Sequence, residues 1–363
     1  MNAQETTQQP STIPAPLRAA LAEPTRRPTP MVWRGAGGVL AAGLLVFPLV
    51  VTSPYPQHIM IMIFLNALMA QSWNILAGYC GQISLGHAAF FGIGAYASGW
   101  LFATFGITPW AGMVVGMVVA ALMAAAIGYP TLRLQGHYFA IATLVIGESV
   151  QIIFLRWETF GAASGIWLPI VRDNPFWNLQ FHTTKAPYYY IILGMLVVAC
   201  LVVWVMERTR QGFYYRAIRE DPDGAASLGI HVARYKVQAF MLSAALMAMA
   251  GTFNTQYLLV IDPEVDLALI RSILVVLVAV MGGAGTLWGP VIGAVVLVPL
   301  SELTRVYFGG TGGTVDLMIY GVLIVLICMF KPEGLIGVFH RFFPQATPTV
   351  DDDTGDTPEG GPA

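Results

Sequence analysis

Ten apolar runs decide what this chain can become. A helix crossing a bilayer needs about 20 consecutive apolar residues, with a range of roughly 17–25. Runs near that length fall at 35–53, 58–79, 88–106, 108–128, 137–155, 187–206, 236–259, 269–283, 289–307 and 315–330. Soluble domains usually carry about 25% charged residues, whereas only 10% of these 363 residues are charged and 56% are hydrophobic. One soluble core of this size does not hide so much apolar surface, so lipid has to solvate it. The expected fold is an all-α polytopic bundle of about ten transmembrane helices with glycine-broken segments. The run 269–283 carries a charged residue, Arg271, near its start.

Lys and Arg set the orientation. With a cytoplasmic N-terminus, 13 of the 18 Lys and Arg fall in inside segments, as the positive-inside rule requires, and both termini come out cytoplasmic. Residues 1–34, polar and carrying Arg18, Arg26, Arg27 and Arg34, are expected to be a disordered cytoplasmic leader. They do not resemble a cleaved signal, whose apolar stretch lies nearer the terminus and precedes a small-residue cleavage site. The transmembrane domain then spans 35–343. An outside loop at 156–186 holds Trp157, Trp167 and Trp177, suited to a membrane interface. An inside loop at 207–235 holds five Arg with Glu207, Glu220, Asp221 and Asp223. The tail 344–363, acidic and rich in Pro, Gly and Thr, is expected to be disordered and cytoplasmic.

Three features carry functional expectation. The first is a pair of glycine-rich breaks. In Ala77–Tyr96, Gly81, Gly86 and polar Ser84 and His87 sit where one span ends and the next begins; Gly285 and Gly289 lie in a second break, 281–290. Irregular backbone at membrane depth is tolerated where it is buried in protein or lines a wet cavity, so both breaks are expected to face the bundle interior. Paired breaks in two halves point to an internal repeat around a central path. The second feature is the inside loop, with Glu220, Asp221, Asp223, Gly224, Ala225 and Gly229, where a short helix over 223–228 would end at Gly229. Such a segment docks into a partner's groove or is an ordinary solvated loop. The third is a set of polar residues inside spans: Asn66, Gln71, Asn74, Glu148, Asn254 and Gln256. Each is a candidate for lining a hydrophilic path or for joining helices, and Glu148 serves function, pairs with a neighbouring helix or sits near the outer water interface. Gly112, Gly116, Ala120 and Ala124 recur every four residues, a spacing that lets two helices approach closely.

Several functions are excluded. The net charge of −2 gives no case for nucleic acid. No phosphate-cradling G-x-x-x-x-G-K-[ST], H-E-x-x-H, G-x-S-x-G or Cys/His cluster occurs, so no catalytic or metal site is expected. Cys80, Cys200 and Cys328 read as small apolar core residues.

Five blocks, in order from about residue 58 to 340, closely resemble the LivM type of bacterial branched-chain amino acid ABC permease. They are Gly81–Tyr96, Leu132–Leu144, Ala217–Asp221, Gly229–Lys236 and Gly282–Pro290. The resemblance implies a permease subunit in the bacterial inner membrane, with no enzymatic activity and no cofactor of its own. It implies a second, LivH-like permease subunit, two cytoplasmic ATPases that use ATP and Mg, and a periplasmic solute-binding protein. The loop is similar to the family's E-A-A-x-x-x-G coupling motif, reading Asp223-Gly224-Ala225-x-x-x-Gly229, with Asp for Glu and Gly for the first Ala. Relatives also carry urea and short amides, so those solutes stand beside branched-chain amino acids. A self-sufficient ion-coupled secondary transporter is the rival mechanism.

Overall fold

The computed structural model describes residues 42–308, except 133, 135, 182 and 183, together with 321, 322 and 335. The leader, the acidic tail, most of the run 315–330, Arg133 and Cys328 therefore lie outside the described residues. The chain divides into two compact units, residues 1–50 and 51–363. The described part of the first is helical over 42–50.

In the second unit the long helices are α1 (Pro54–Asn74), α2 (His87–Phe105), α3 (Pro109–Thr131), α4 (His137–Arg156) and α5 (Ala186–Arg208). Short α6 (Arg210–Glu220) and α7 (Pro222–Ser227) follow. Then come α8 (Val232–Leu258), α9 (Leu269–Gly282) and α10 (Gly289–Phe308). Proline occupies the first turn of α1, α3 and α7, where its missing N–H costs no helical bond. Two residue pairs form an antiparallel ribbon, Ile166 with Ile261 and Trp167 with Val260, tying the 156–186 loop to the end of α8.

The chain is an all-α polytopic membrane protein. Among the described residues seven helices are long and apolar enough to cross a bilayer, and Gly289–Thr304 is a shorter apolar helix. Of the ten expected runs, 35–53 and 315–330 lie partly outside the described residues. The run 269–283 is lengthened to a 20-residue span by the turn Pro263–Asp266, and α10 is a continuous helix with Pro299 and Glu302 inside it.

Burial separates a centre from a rim. The apolar stretches of α1, α2 and α8 are 78%, 67% and 72% buried, against 28% in α3 and 17% in α4. α8 packs on α2 and α3, and α1 packs on α5, α8, α9 and α10. Small residues make these approaches possible. The buried face of α3 is Pro109, Gly112, Gly116, Ala120, Ala124 and Gly128, one residue per turn. A Cβ on Gly112 would sit 2.8 Å from Ser98 Cα, and one on Gly116 would sit 3.1 Å from Gly94 Cα. Backbone thus meets backbone where α3 crosses α2, which is how helices gain contact in lipid, where no hydrophobic drive separates them from the solvent. A Cβ on Gly293 would likewise run into the Val278 carbonyl, bringing α9 and α10 together.

Candidate functional site: a membrane groove, its root and an exposed loop

α1 does not end cleanly. Its last turn widens into a π-helical segment, Ile75–Tyr79, and the chain then reverses at Gly81, whose φ of 72° suits glycine. Single π-turns inside helices recur at functional sites because they release backbone groups from the regular ladder. The second break, 283–288, lies against this one. Asn74 Oδ1 accepts from the Gly285 N–H at 2.7 Å, and Asn74 Nδ2 donates to the Thr286 carbonyl at 2.9 Å. A Cβ on Gly78 would collide with the Gly285 nitrogen. The two breaks therefore meet, and at this one point α1 ends, α9 ends and α10 begins.

The first break is locked to the bundle by buried polar groups. His87, fully buried, reaches Ser84 Oγ at 3.0 Å and Ser243 Oγ at 2.8 Å through its two ring nitrogens. Ser243 donates to the Ser72 carbonyl at 2.7 Å, and Trp73 Nε1 donates to the Ser84 carbonyl at 2.8 Å. Ser272 Oγ accepts from the Ala88 N–H at 2.8 Å. A Cβ on Gly86 would strike the Thr143 carbonyl. Ser84, His87 and Gly86 thus join α1, α2, α4, α8 and α9, and each buried hydroxyl or ring nitrogen of this knot has a partner. The Cys80 thiol beside it is pushed up to about 12 by burial, against an opposing pull from Lys236, so it stays neutral.

A groove of about 180 Å³ opens between α1, α9 and α10. Its walls are Met62, Leu274, Leu277, Val278, Leu297 and Val298, and its polar groups are Asn66, Ser301 and Glu302. Of the eight polar pathway candidates, Asn66 lines this groove. Ser84 borders a second recess of about 10 Å³, room for no more than a water. Gln71, Asn74, His87, Asn254 and Gln256 are buried in the bundle. The side-chain amides of Gln71 and Gln256 have no hydrogen-bond partner among the described residues. Ser301 and Glu302 were missed by the sequence reading because both sit inside an apolar run beside Pro299.

Asn254 has a different role. It donates to Asp266 Oδ1 at 3.4 Å, and Asp266 pairs with Arg271 at 3.0 Å while its second oxygen accepts from the Asp262 N–H. The Arg271 guanidinium also lies 4.3 Å over the Phe91 ring. Glu148 is half-buried on α4 and makes no hydrogen bond or ion pair among the described residues.

The loop 207–235 contains α6 and α7. Asp221 caps α7, its side chain accepting from the Asp223 N–H at 3.0 Å. The helix spans Pro222–Ser227, Asp223 lies in its first turn, and Gly229 follows with φ 84°. Glu220, Asp221 and Asp223 are exposed and Gly224 is half-buried. Ala225, expected at the docking surface, is 3% exposed and packs inward, because the face carrying it closes α7 onto its own chain. The outward group is Leu228, 82% exposed at the end of the helix. An exposed apolar side chain at the tip of a charged loop was the available signal.

The family model described as "Branched-chain amino acid transport system / permease component" matches residues 55–328. The chain is 30% identical over 284 residues to the high-affinity branched-chain amino acid transport system permease protein LivM of Escherichia coli, covering 72% of this chain and 65% of that protein, just under two thirds of its length. It is 26% identical to the LivH permease of Salmonella typhimurium, over 75% of this chain and 91% of that protein. The fructose import permease protein FrcC of Rhizobium meliloti is 26% identical over 61% of this chain and 62% of its own length. No solved structure matches the chain.

Proposed function

Because the chain belongs to the branched-chain amino acid transport permease family, we propose that it is one of two permease subunits of an ATP-driven importer for branched-chain amino acids. In this reading both termini and the loop 207–235 face the cytoplasm, and the loop 156–186 faces the periplasm of the inner membrane. α7 docks on a separate ATPase that supplies ATP and Mg chemistry, a periplasmic binding protein delivers the solute, and a homologous second permease completes the path. One observation carries the reading: Leu228 stands exposed on a capped, glycine-terminated helix between two spans, a rigid apolar knob suited to a partner's groove.

The groove supports the solute class. Sites for drug-sized ligands occupy roughly 300–1,000 Å³, and about 180 Å³ suits a smaller molecule. Its aliphatic walls suit a branched side chain. Glu302 suits an ammonium group, and Asn66 and Ser301 suit the polar end. Urea lacks the apolar part and would leave those walls unmatched.

Uptake of labelled leucine by the assembled subunits tests the reading. Uptake should need ATP, survive collapse of the proton gradient, and be competed by valine and isoleucine but not by urea. Glu302→Gln should lower it at least tenfold. Uptake that stops with the proton gradient while ATP is intact would make the chain an ion-coupled transporter instead.

A further inference from the structure

We propose that Arg219 is a positioning residue that links movement of the loop 207–235 to the groove. It rests on the importer reading above. Three helices form the groove, and all three have an end at the junction of the two glycine breaks: α1 through Ile75–Tyr79, α9 at Gly282 and α10 at Gly289. Arg219, near the end of α6, reaches into that junction. Its Nη1 donates to the Gly78 carbonyl at 2.6 Å. A Cβ on Gly285 would collide with the same Nη1 and lie 2.9 Å from the Gly78 oxygen. A Cβ on Gly81 would sit 3.1–3.3 Å from the Arg219 side chain and Cα. One guanidinium therefore touches both breaks, and the absence of side chains at Gly285 and Gly81 makes room for the guanidinium and its stem.

The other end of the link is the docking helix. Arg219 lies two residues before the α7 cap, and the two helices are joined without slack. The Asp221 N–H donates to the Ala217 carbonyl, and the Asp221 carbonyl accepts from the Ala225 N–H. A force on Leu228 thus reaches Arg219 through α7, the extended cap residue Asp221 and the two backbone bonds Asp221 makes to α6 and α7. A second tie runs beside it: Tyr79 Oη donates to Glu207 Oε1 at 2.8 Å, and Arg216 Nη2 pairs with that same oxygen at 3.1 Å. The π-segment is held by two side chains of the loop, Arg219 and Glu207, and Asn74 just before it ties α1 to the second break. A charge-assisted bond from a long flexible arm to a carbonyl in the π-segment can hold while the arm moves, where a backbone bond in the ladder would have to break.

The test compares solute imported per ATP hydrolysed in proteoliposomes holding the full assembly. Arg219→Gln should leave permease abundance and ATPase co-purification as in the unaltered chain. It should lower uptake at least tenfold while hydrolysis falls less than twofold. Arg219→Lys, which keeps one charged donor, should recover part of the ratio. Gly285→Ala, which crowds the guanidinium from the opposite side, should lower the ratio in the same direction. If uptake and hydrolysis fall in proportion, or neither changes, Arg219 is a structural tie and the inference fails. If the unaltered chain shows no ATP-dependent uptake, the importer reading itself fails.

Discussion

Glu148 and Arg271 are both ionisable residues in apolar stretches, and the protein treats them in opposite ways. Arg271 lies where α9 meets the core. It is paired with Asp266 at 3.0 Å, lies over Phe91, and donates through Nε to the Val265 carbonyl at 3.3 Å. Glu148 lies on α4, the least buried of the seven spans, off the stripe of Phe139, Thr143, Gly147 and Val150 that faces the bundle. Arg271 is therefore satisfied inside this chain, and Glu148 is not satisfied by its described residues. A charge in a span has to find a partner or water. One of these charges is held by the fold of this chain, and the other lies off the face that α4 turns to the bundle.

Changes at Arg271 should cost the chain most. Removing one member of a buried ion pair leaves an uncompensated charge and costs about 3–5 kcal/mol. Arg271→Met should sharply lower the unfolding temperature of the purified chain in detergent. Asp266→Asn in the same chain should restore much of it, with a coupling of opposite sign to the single effects. Additive losses would show that the pair carries no coupling and that Arg271 is held by Phe91 and Val265 alone.

A middle-sized effect is expected in the loop. A β-branched residue at Gly229 must adopt the left-handed region, at about 1–2 kcal/mol, and a Cβ there meets nothing within 4 Å, so the cost is conformational alone. Gly229→Val should weaken ATPase co-purification several-fold at normal permease abundance. Leu228→Asp should weaken it more, since it places a charge on the exposed knob. Ala225→Trp is a poor probe, because a residue only 3% exposed would overpack its own chain. Full ATPase binding by both loop variants would remove α7 as the docking element.

What the sequence made legible follows from the range of the signal. Helix type and the two breaks could be read because apolar length and glycine clustering are local. The α7 helix was legible to within a residue, since Asp, Pro and Gly act on their own neighbours. Ala225 was misjudged because which face of a six-residue helix turns inward depends on α6 and α8. Asp266 was missed because its value lies in Arg271, Asn254 and Asp262, which come together only when Pro263–Asp266 folds back. Arg219 read as one more basic residue in a solvated loop, since its partner, the Gly78 carbonyl, is 141 residues away. The alternation of Gln71, Asn74, Asn254 and Gln256 with apolar residues did not distinguish a path from a packed interior, because both place amides away from lipid.

Changes at Glu148 should cost the isolated chain least. Glu148 is eight residues before Arg156, the last residue of α4, so it lies about 12 Å along the helix from that end at 1.5 Å per residue. That depth is too great for a short carboxylate side chain to reach bulk water unaided in a bilayer about 30 Å thick. Neutralising a half-buried group without a partner removes no contact within the described residues. Glu148→Gln should therefore change the unfolding temperature of the chain alone by less than about 0.5 kcal/mol equivalent, as for surface substitutions generally. The outcome in the assembly should differ. If α4 presents Glu148 to a second subunit, Glu148→Gln should reduce the yield of the paired permeases and their uptake several-fold. The same change at Glu359, in the acidic tail, should do neither. An unaltered yield and uptake with Glu148→Gln would mean that the carboxylate is incidental. A large loss of stability in the isolated chain would mean that it is held within the subunit, as Arg271 is, and would erase the contrast between α4 and α9.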